Sequence, residues 1–382
     1  MTNGAVIPPA HVLVAADKFK GSLTAAQVAE RVTAGLRRAV PGLAVESLPV
    51  ADGGDGTVAA AVAAGFTRRE ARVTGPLGTP VTAAYALRGG TAVVEMAEAS
   101  GLQRLPGVGP ERFAPLTATS RGTGELLRAA LDAGARTIVL GVGGSATTDG
   151  GAGMLSALGA RLLDASGAGL PPGGAALGAL ATVDLSGLDP RLTTAELILA
   201  SDVANPLTGP DGAAAVYGPQ KGATADDITL LDAALAHYAS VLGPERAADR
   251  GAGAAGGVGY AALAVLGARA RPGIEVVLDV LGFAAALERA TLVITGEGSL
   301  DTQTLQGKAP AGVAAAARAR GREVVAVCGR LALTPAELAG VGIARAYALL
   351  DLEPDPERCL RDAGPLLERL AERLARETPL SP

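Results

Sequence analysis

Short apolar runs alternate with longer amphipathic stretches along the first seventy residues. His11–Ala16 (HVLVAA) predicts a buried parallel strand, because an uninterrupted apolar run suits a strand covered on both faces. Thr24-Ala-Ala-Gln27 has capping-box spacing and predicts a helix that runs to about Ala39, where Pro41-Gly42 ends it. Val45–Val50 predicts a second strand, and Thr57 opens another helix to about Ala64. From Val73 to Glu95 the grammar changes to short alternating runs broken by Gly75–Gly78 and Arg88–Gly90, the turn signals of an antiparallel meander.

Residues 120–289 mix helices, strands and glycine-rich loops. Gly251–Ala268 is uncharged but glycine-rich, which suits a loop entering a buried helix better than a membrane span. At Thr291 the strand–helix alternation returns, with Thr291–Thr295, a helix to about Arg320, then Glu323–Gly329 and Ala344–Leu350. The last thirty residues place Leu360, Leu367, Leu370 and Leu374 on one helical stripe. The two chain ends share one style and the middle has another. The fold expected is α/β: a Rossmann-like parallel-sheet domain built from residues 1–72 and 290–382, with an α+β domain, 73–289, inserted in it and the active site in the cleft between them. No internal repeat is visible.

Composition narrows the function. Across 382 residues the net charge is −5, which argues against a basic nucleic-acid or membrane surface. Apolar residues make up 49%, too many for disorder. Two cysteines, Cys328 and Cys359, exclude a disulfide scaffold, and two histidines, His11 and His237, make a Ser-His-Asp triad improbable. Residues 1–10 show neither the basic region nor the apolar core of a signal peptide, so a cytoplasmic chain is expected. A homodimer is left open. Only four of the 33 basic residues are lysine. Lys18, Lys20, Lys221 and Lys308 therefore stand out as positions where a compact ammonium is wanted in place of a guanidinium.

Carboxylates and glycines coincide at four predicted strand ends: Asp17-Lys18, Asp52–Gly56, Gly141–Gly151 and Gly296–Asp301. In an open parallel sheet ligands bind beyond these ends. Glycine loops let backbone N–H groups approach phosphate, carboxylates suit a divalent cation, and lysines suit phosphate. Together they are what metal-assisted phosphoryl transfer needs. Two other signatures fit poorly. Gln306-Gly-Lys-Ala309 lacks the first glycine and the hydroxyl of a Walker A loop, and Gly141-Val-Gly-Gly-Ser-Ala146 matches a dinucleotide fingerprint whose helix is delayed by Thr148–Gly153. An NAD-dependent dehydrogenase of a small hydroxy acid, or a non-catalytic sugar-acid binding protein, remains the alternative.

The ordered set DKFKGSLT (17–24), PVADGGDGT (49–57), TGPLG (74–78), TSRGTGE (119–125), GGSATTDGGAG (143–153), DVANPL (202–207), GPQKGA (218–223), GAGAAGG (251–257) and TGEGSLD (295–301) resembles the bacterial glycerate kinase family. The resemblance runs from about residue 11 to about 350. It implies ATP- and Mg²⁺-dependent phosphorylation of D-glycerate, at the 2-hydroxyl in preference to the 3-hydroxyl. Roles are assigned by chemistry. Asp202 or Asp52 is the expected base, with Lys20 beside them. Arg121 or Lys20 would hold the glycerate carboxylate, and Ser120, Asn205 and Asp17 complete the substrate site. Lys18, Lys221 and Lys308, with Gly143, Gly144, Ser145 and Gly296, would hold ATP. Asp149, Glu297 and Asp301 would hold the metal.

Overall fold

The computed structural model describes residues 10–107 and 109–380; the N-terminal stretch read for a signal peptide lies almost wholly outside them. The chain divides into two compact units, residues 1–52 with 274–382, and residues 53–273.

The first unit holds a five-stranded sheet of order β13-β12-β11-β1-β2. Its strands are β1 (His11–Val14), β2 (Ala44–Ser47), β11 (Leu292–Leu300), β12 (Glu323–Leu331) and β13 (Arg345–Ala348), and every neighbouring pair is parallel. Its helices are α1 (Ala25–Ala39), α9 (Gly273–Leu281, starting on the last residue of the other unit), α10 (Phe283–Arg289), α11 (Ala309–Arg318), α12 (Pro335–Val341), α13 (Pro356–Arg361) and α14 (Ala363–Glu377). The capping box that opens α1 forms as expected: Thr24 Oγ1 accepts from Gln27 N, and the Gln27 side chain accepts from Thr24 N. Chain ends meet here, because Val28, Val32 and Leu36 of α1 share a core with Leu366, Leu367, Leu370 and Leu374 of α14. Arg31 and Arg38 bridge the same helices to Glu368 at 2.6 and 2.8 Å. Leu360 departs from the expected stripe: the helix breaks at Asp362, and Leu360 is exposed on α13.

The second unit holds a six-stranded mixed sheet of order β10-β9-β6-β5-β4-β3. Its strands are β3 (Thr67–Thr74), β4 (Pro80–Arg88), β5 (Thr91–Glu95), β6 (Thr137–Gly141), β9 (Glu196–Ala200) and β10 (Arg269–Arg271); β7 (Arg161–Leu163) and β8 (Thr182–Asp184) form a separate hairpin. Its helices are α2 (Thr57–Ala63), α3 (Met96–Ser100), α4 (Arg121–Asp132), α5 (Ala152–Ala157), α6 (Ala213–Tyr217), α7 (Ala225–Leu242) and α8 (Ala254–Ala264). The expected meander is present in β3–β5, which pair antiparallel. It begins earlier than predicted, at Thr67, and β5 then pairs parallel with β6, which continues parallel to β9 and β10. The unit boundaries differ from the expected 72/73 and 289/290. Helix α2 packs on β4 and β5 and so belongs to the second unit. Gly251–Ala268 does lead into a buried helix, α8.

Candidate functional site

In the first unit one buried carboxylate, Asp17, lies just past β1 and another, Glu297, lies in the second half of β11. Asp17 lies one turn of chain beyond β1, and its N–H donates to Gly296 O at 2.8 Å. Burial pushes the Asp17 carboxyl up to about 7; Lys18 opposes this, and the charges of Asp52 and Glu297 add to it. Glu297 is also raised, mainly by burial, although Thr304 Oγ1 donates to its Oε1 at 2.6 Å and Lys308 Nζ stands 3.8 Å from its Oε2. Two carboxylates whose ionisation burial opposes, with lysines beside them, form acidic positions that a cation would relieve.

Several expected members behave differently. Strand β11 does not end at Thr295 but runs through Gly296, whose added Cβ would lie 2.2 Å from Val327 O on β12. Gly296 is thus a strand glycine set by sheet packing, where a loop was expected to begin. Asp301 accepts from Gln303 N at 2.9 Å and from Ser299 Oγ at 3.3 Å, shaping the turn that follows β11. Lys20 is exposed on the loop after Asp17, and a Cβ at Gly298 would lie 3.2 Å from Lys20 N.

In the second unit the carboxyl ends of β5, β6, β9 and β10 gather at a floor of closely packed backbone. A Cβ at Gly141 would lie 2.6 Å from Gly53 O, and one at Gly143 would lie 2.5 Å from Gly54 Cα. A Cβ at Gly53 would lie 2.7 Å from Gly273 Cα. Gly273 N–H donates to Asp202 Oδ1 at 2.8 Å, which places the Asp202 carboxylate at this floor, just past β9. Gly144 and Ser145 continue from β6: Gly144 O accepts from Leu102 N at 2.9 Å, and Ser145 bridges to Gly101. The first helix after this loop starts at Ala152, six residues past Ala146, so the dinucleotide fingerprint has no helix N-terminus where it needs one.

Three motifs expected to touch ligands instead build one buried charge network. The Asp149 carboxylate is fully enclosed. Oδ2 accepts from Ser120 N and Ser120 Oγ, each at 2.8 Å, and from Gly153 N at 3.2 Å, and Oδ1 accepts from Gly151 N at 3.1 Å. Lys221 is 1% exposed and its ammonium donates to Thr147 O at 2.6 Å. Burial lowers this lysine to about 7, against the pull of Asp149, while burial raises Asp149. Ser120 and Asp149 thus bond each other inside the unit, and Lys221 bonds the Thr147 carbonyl, where ligand contacts were expected of all three. Among the described residues no three His, Cys, Asp or Glu side chains form a group that could hold a metal ion.

Asn205 is occupied as well: its Nδ2 donates to Asp211 O at 2.8 Å and its Oδ1 accepts from Tyr217 OH at 2.7 Å. It fixes the loop after Asp202. Arg121 opens α4, and its Nε donates to Glu125 Oε1 at 3.2 Å. Its side chain is half exposed and lines, with Arg161, Ser156 and Leu170, a cavity of about 440 Å³.

Glu95 was missed. It ends β5 at 2% exposure, and its Oε1 and Oε2 accept from Gly56 N and Val58 N, each at 3.1 Å. The rule that a carboxylate at a parallel strand's carboxyl end is a site candidate would have found it, had TAVVE not been read as part of a purely antiparallel meander.

A model of the glycerate kinase family matches residues 12–378. The chain belongs to the glycerate kinase family. A Bacillus subtilis (strain 168) protein named glycerate kinase is 46% identical over 97% of this chain and 98% of its own length. An Escherichia coli (strain K12) glycerate 2-kinase is 47% identical over 84% of this chain and 85% of its own. A crystal structure of a Salmonella typhimurium LT2 protein assigned as glycerate kinase 2 is 44% identical, superposes with a TM-score of 0.83, and covers 96% of this chain and 98% of that one. This family membership agrees with the resemblance carried by the motifs, and the mixed α/β architecture agrees with the fold class expected. Among the described residues no helix is long and apolar enough to cross a membrane.

Proposed function

We propose that this chain transfers the γ-phosphoryl group of ATP to the 2-hydroxyl of D-glycerate, with Mg²⁺. Family membership supports glycerate and ATP as substrates, and the 47% identity to a protein named glycerate 2-kinase supports the 2-position. In the reaction the 2-hydroxyl oxygen bonds to the γ-phosphorus, the bond from that phosphorus to the β–γ bridging oxygen breaks, ADP leaves, and the hydroxyl proton passes to a carboxylate. Asp202 is the assigned acceptor, and the observation that carries this is its place at the carboxyl end of β9, fixed through Oδ1 by Gly273 N. A general base in that position contributes about 10²–10⁴-fold. Asp52 is the rival.

Lys18 and Lys308 are assigned to the ATP phosphates, where ammonium groups neutralise charge without covalent chemistry, and Lys20 to the reacting groups beside the base. Arg121 is assigned to the glycerate carboxylate, which its planar fork can grip bidentately. Asp17 and Glu297 fit Mg²⁺. They are two buried oxygen donors whose ionisation burial opposes, and Mg²⁺ is commonly bound by one or two carboxylates together with phosphate oxygens and water. The bound ion would supply charge neutralisation of the phosphates. The role predicts a strict metal requirement.

ADP release should require glycerate, ATP and Mg²⁺ together, and NAD should have no effect. Excess EDTA should abolish turnover. Adding enolase to the product mixture should yield phosphoenolpyruvate directly; product that needs phosphoglycerate mutase first would place the phosphate on the 3-hydroxyl. Robust turnover in EDTA would remove the metal role.

A further inference from the structure

Helix α2 has an unusual start. Its N-cap is Gly56, in the left-handed region at φ 103°, with no side chain to cap the first turn. Serine, threonine, aspartate or asparagine would ordinarily stand there. The caps come instead from Glu95, 39 residues further on, whose two oxygens accept from Gly56 N and Val58 N. A buried carboxylate is an expensive cap, because desolvation disfavours its charge. It also closes this helix N-terminus to phosphate, since two of the N–H groups a phosphate would use are taken. What Glu95 holds is the Gly53–Gly56 loop. That loop lies against Gly141 and Gly143, and its Gly53 lies against Gly273, the residue whose N–H fixes Asp202. An unbroken series of backbone contacts therefore leads from Glu95 through the loop to Asp202, all within the second unit.

We infer that Glu95 is a positioning residue for phosphoryl transfer: its carboxylate sets the Gly53–Gly56 loop and, through the Gly53–Gly273 contact, the orientation of Asp202. The inference rests on the assignment of Asp202 as the proton acceptor. Protonating Glu95 replaces an acceptor by an O–H that faces an N–H, and frees the loop. Burial raises its carboxyl to about 7, and the titratable groups facing it are Asp55 on the loop and Glu98 on α3, the latter paired with Arg104 at 2.7 Å. The carboxylate form, and with it the ordered loop, is lost as the pH falls through this value.

The test is Glu95→Gln, with kcat, both KM values, the pH profile and the melting temperature measured, and Asp227→Asn, at the start of α7, as a capping-carboxylate control. Expected are a kcat at least ~10-fold lower, an order-of-magnitude loss typical of misplaced catalytic groups, KM values for ATP and glycerate within about threefold, and loss of the acid limb near pH 7 that the wild type shows. In an Asp202→Asn background the added effect of Glu95→Gln should largely vanish, as it must for two residues acting in series. Full additivity of the two substitutions, or a wild-type kcat flat between about pH 6 and 8, would overturn the inference. So would a loss confined to the KM for ATP, which would make Glu95 a ligand-site residue. If Glu95→Gln does not fold, Glu95→Asp, which keeps the charge but shortens its reach to the loop, takes its place, and an unchanged kcat there would overturn the inference. An active Asp202→Asn enzyme would refute the base assignment, which is separate from the Glu95 limb.

Discussion

The Lys221 ammonium, fully buried, donates to the carbonyl of Thr147, 74 residues away, over 2.6 Å. Its ordinary value of 10.5 is lowered by desolvation to about 7. Between these values the unfolded chain holds a proton that the folded chain has released, so this residue makes stability rise with pH from about 7 to 10.5. The slope approaches about 1.4 kcal/mol per pH unit for one proton. Chemical denaturation of the wild type and of Lys221→Met across that window should show the rise in the former only. Equal pH dependence in both would mean that Lys221 is not the buried, depressed lysine described.

The glycine floor of the second unit leaves no room for side chains. Gly143→Ala would put a methyl 2.5 Å from Gly54 Cα, backbone against backbone, so relief requires the loops to part. The expected cost is about 1–3 kcal/mol, the usual penalty of overpacking, accompanied by lower kcat because Asp202 shares this floor. Gly178→Ala, with nothing within 4 Å of its added Cβ, should leave melting and turnover unchanged. Equal behaviour of the two variants in thermal melts would contradict the packing.

The base assignment separates from a structural role by which quantity moves. Asp202→Asn keeps an oxygen able to accept from Gly273 N, so melting should change little while kcat falls about 10²–10⁴-fold. A mere turn former would instead lose about 1 kcal/mol of stability with turnover nearly intact. Retention of more than about half the activity, the threshold below which a lost general base would fall, together with a dead Asp52→Asn, would transfer the role to Asp52.

Much of the molecule was legible along the chain. Buried parallel strands announce themselves as apolar runs, because both faces are covered. The Thr24 capping box and the Leu367–Leu374 stripe are local patterns, and local geometry honours them. The association of both chain ends in one sheet followed from their shared strand–helix alternation. The ordered glycine and acidic motifs identified the family.

Tertiary structure alone decided which motif residues are buried and which partners they find there. Ser120, Asp149 and Lys221 lie 29 and 72 positions apart along the chain, and nothing local distinguishes a lysine aimed at phosphate from one buried against Thr147. Burial is a property of the packed sheet and its helices, and it sets which partners these polar groups find. The parallel pairing of β5 with β6 is likewise non-local: it sets the end of an apparent meander strand beside a parallel neighbour, and Glu95 there bonds the loop after Asp52. Sequence patterns set by a residue's immediate neighbours were readable; those set by which distant backbone lies alongside were not, because only the assembled sheet supplies that neighbour.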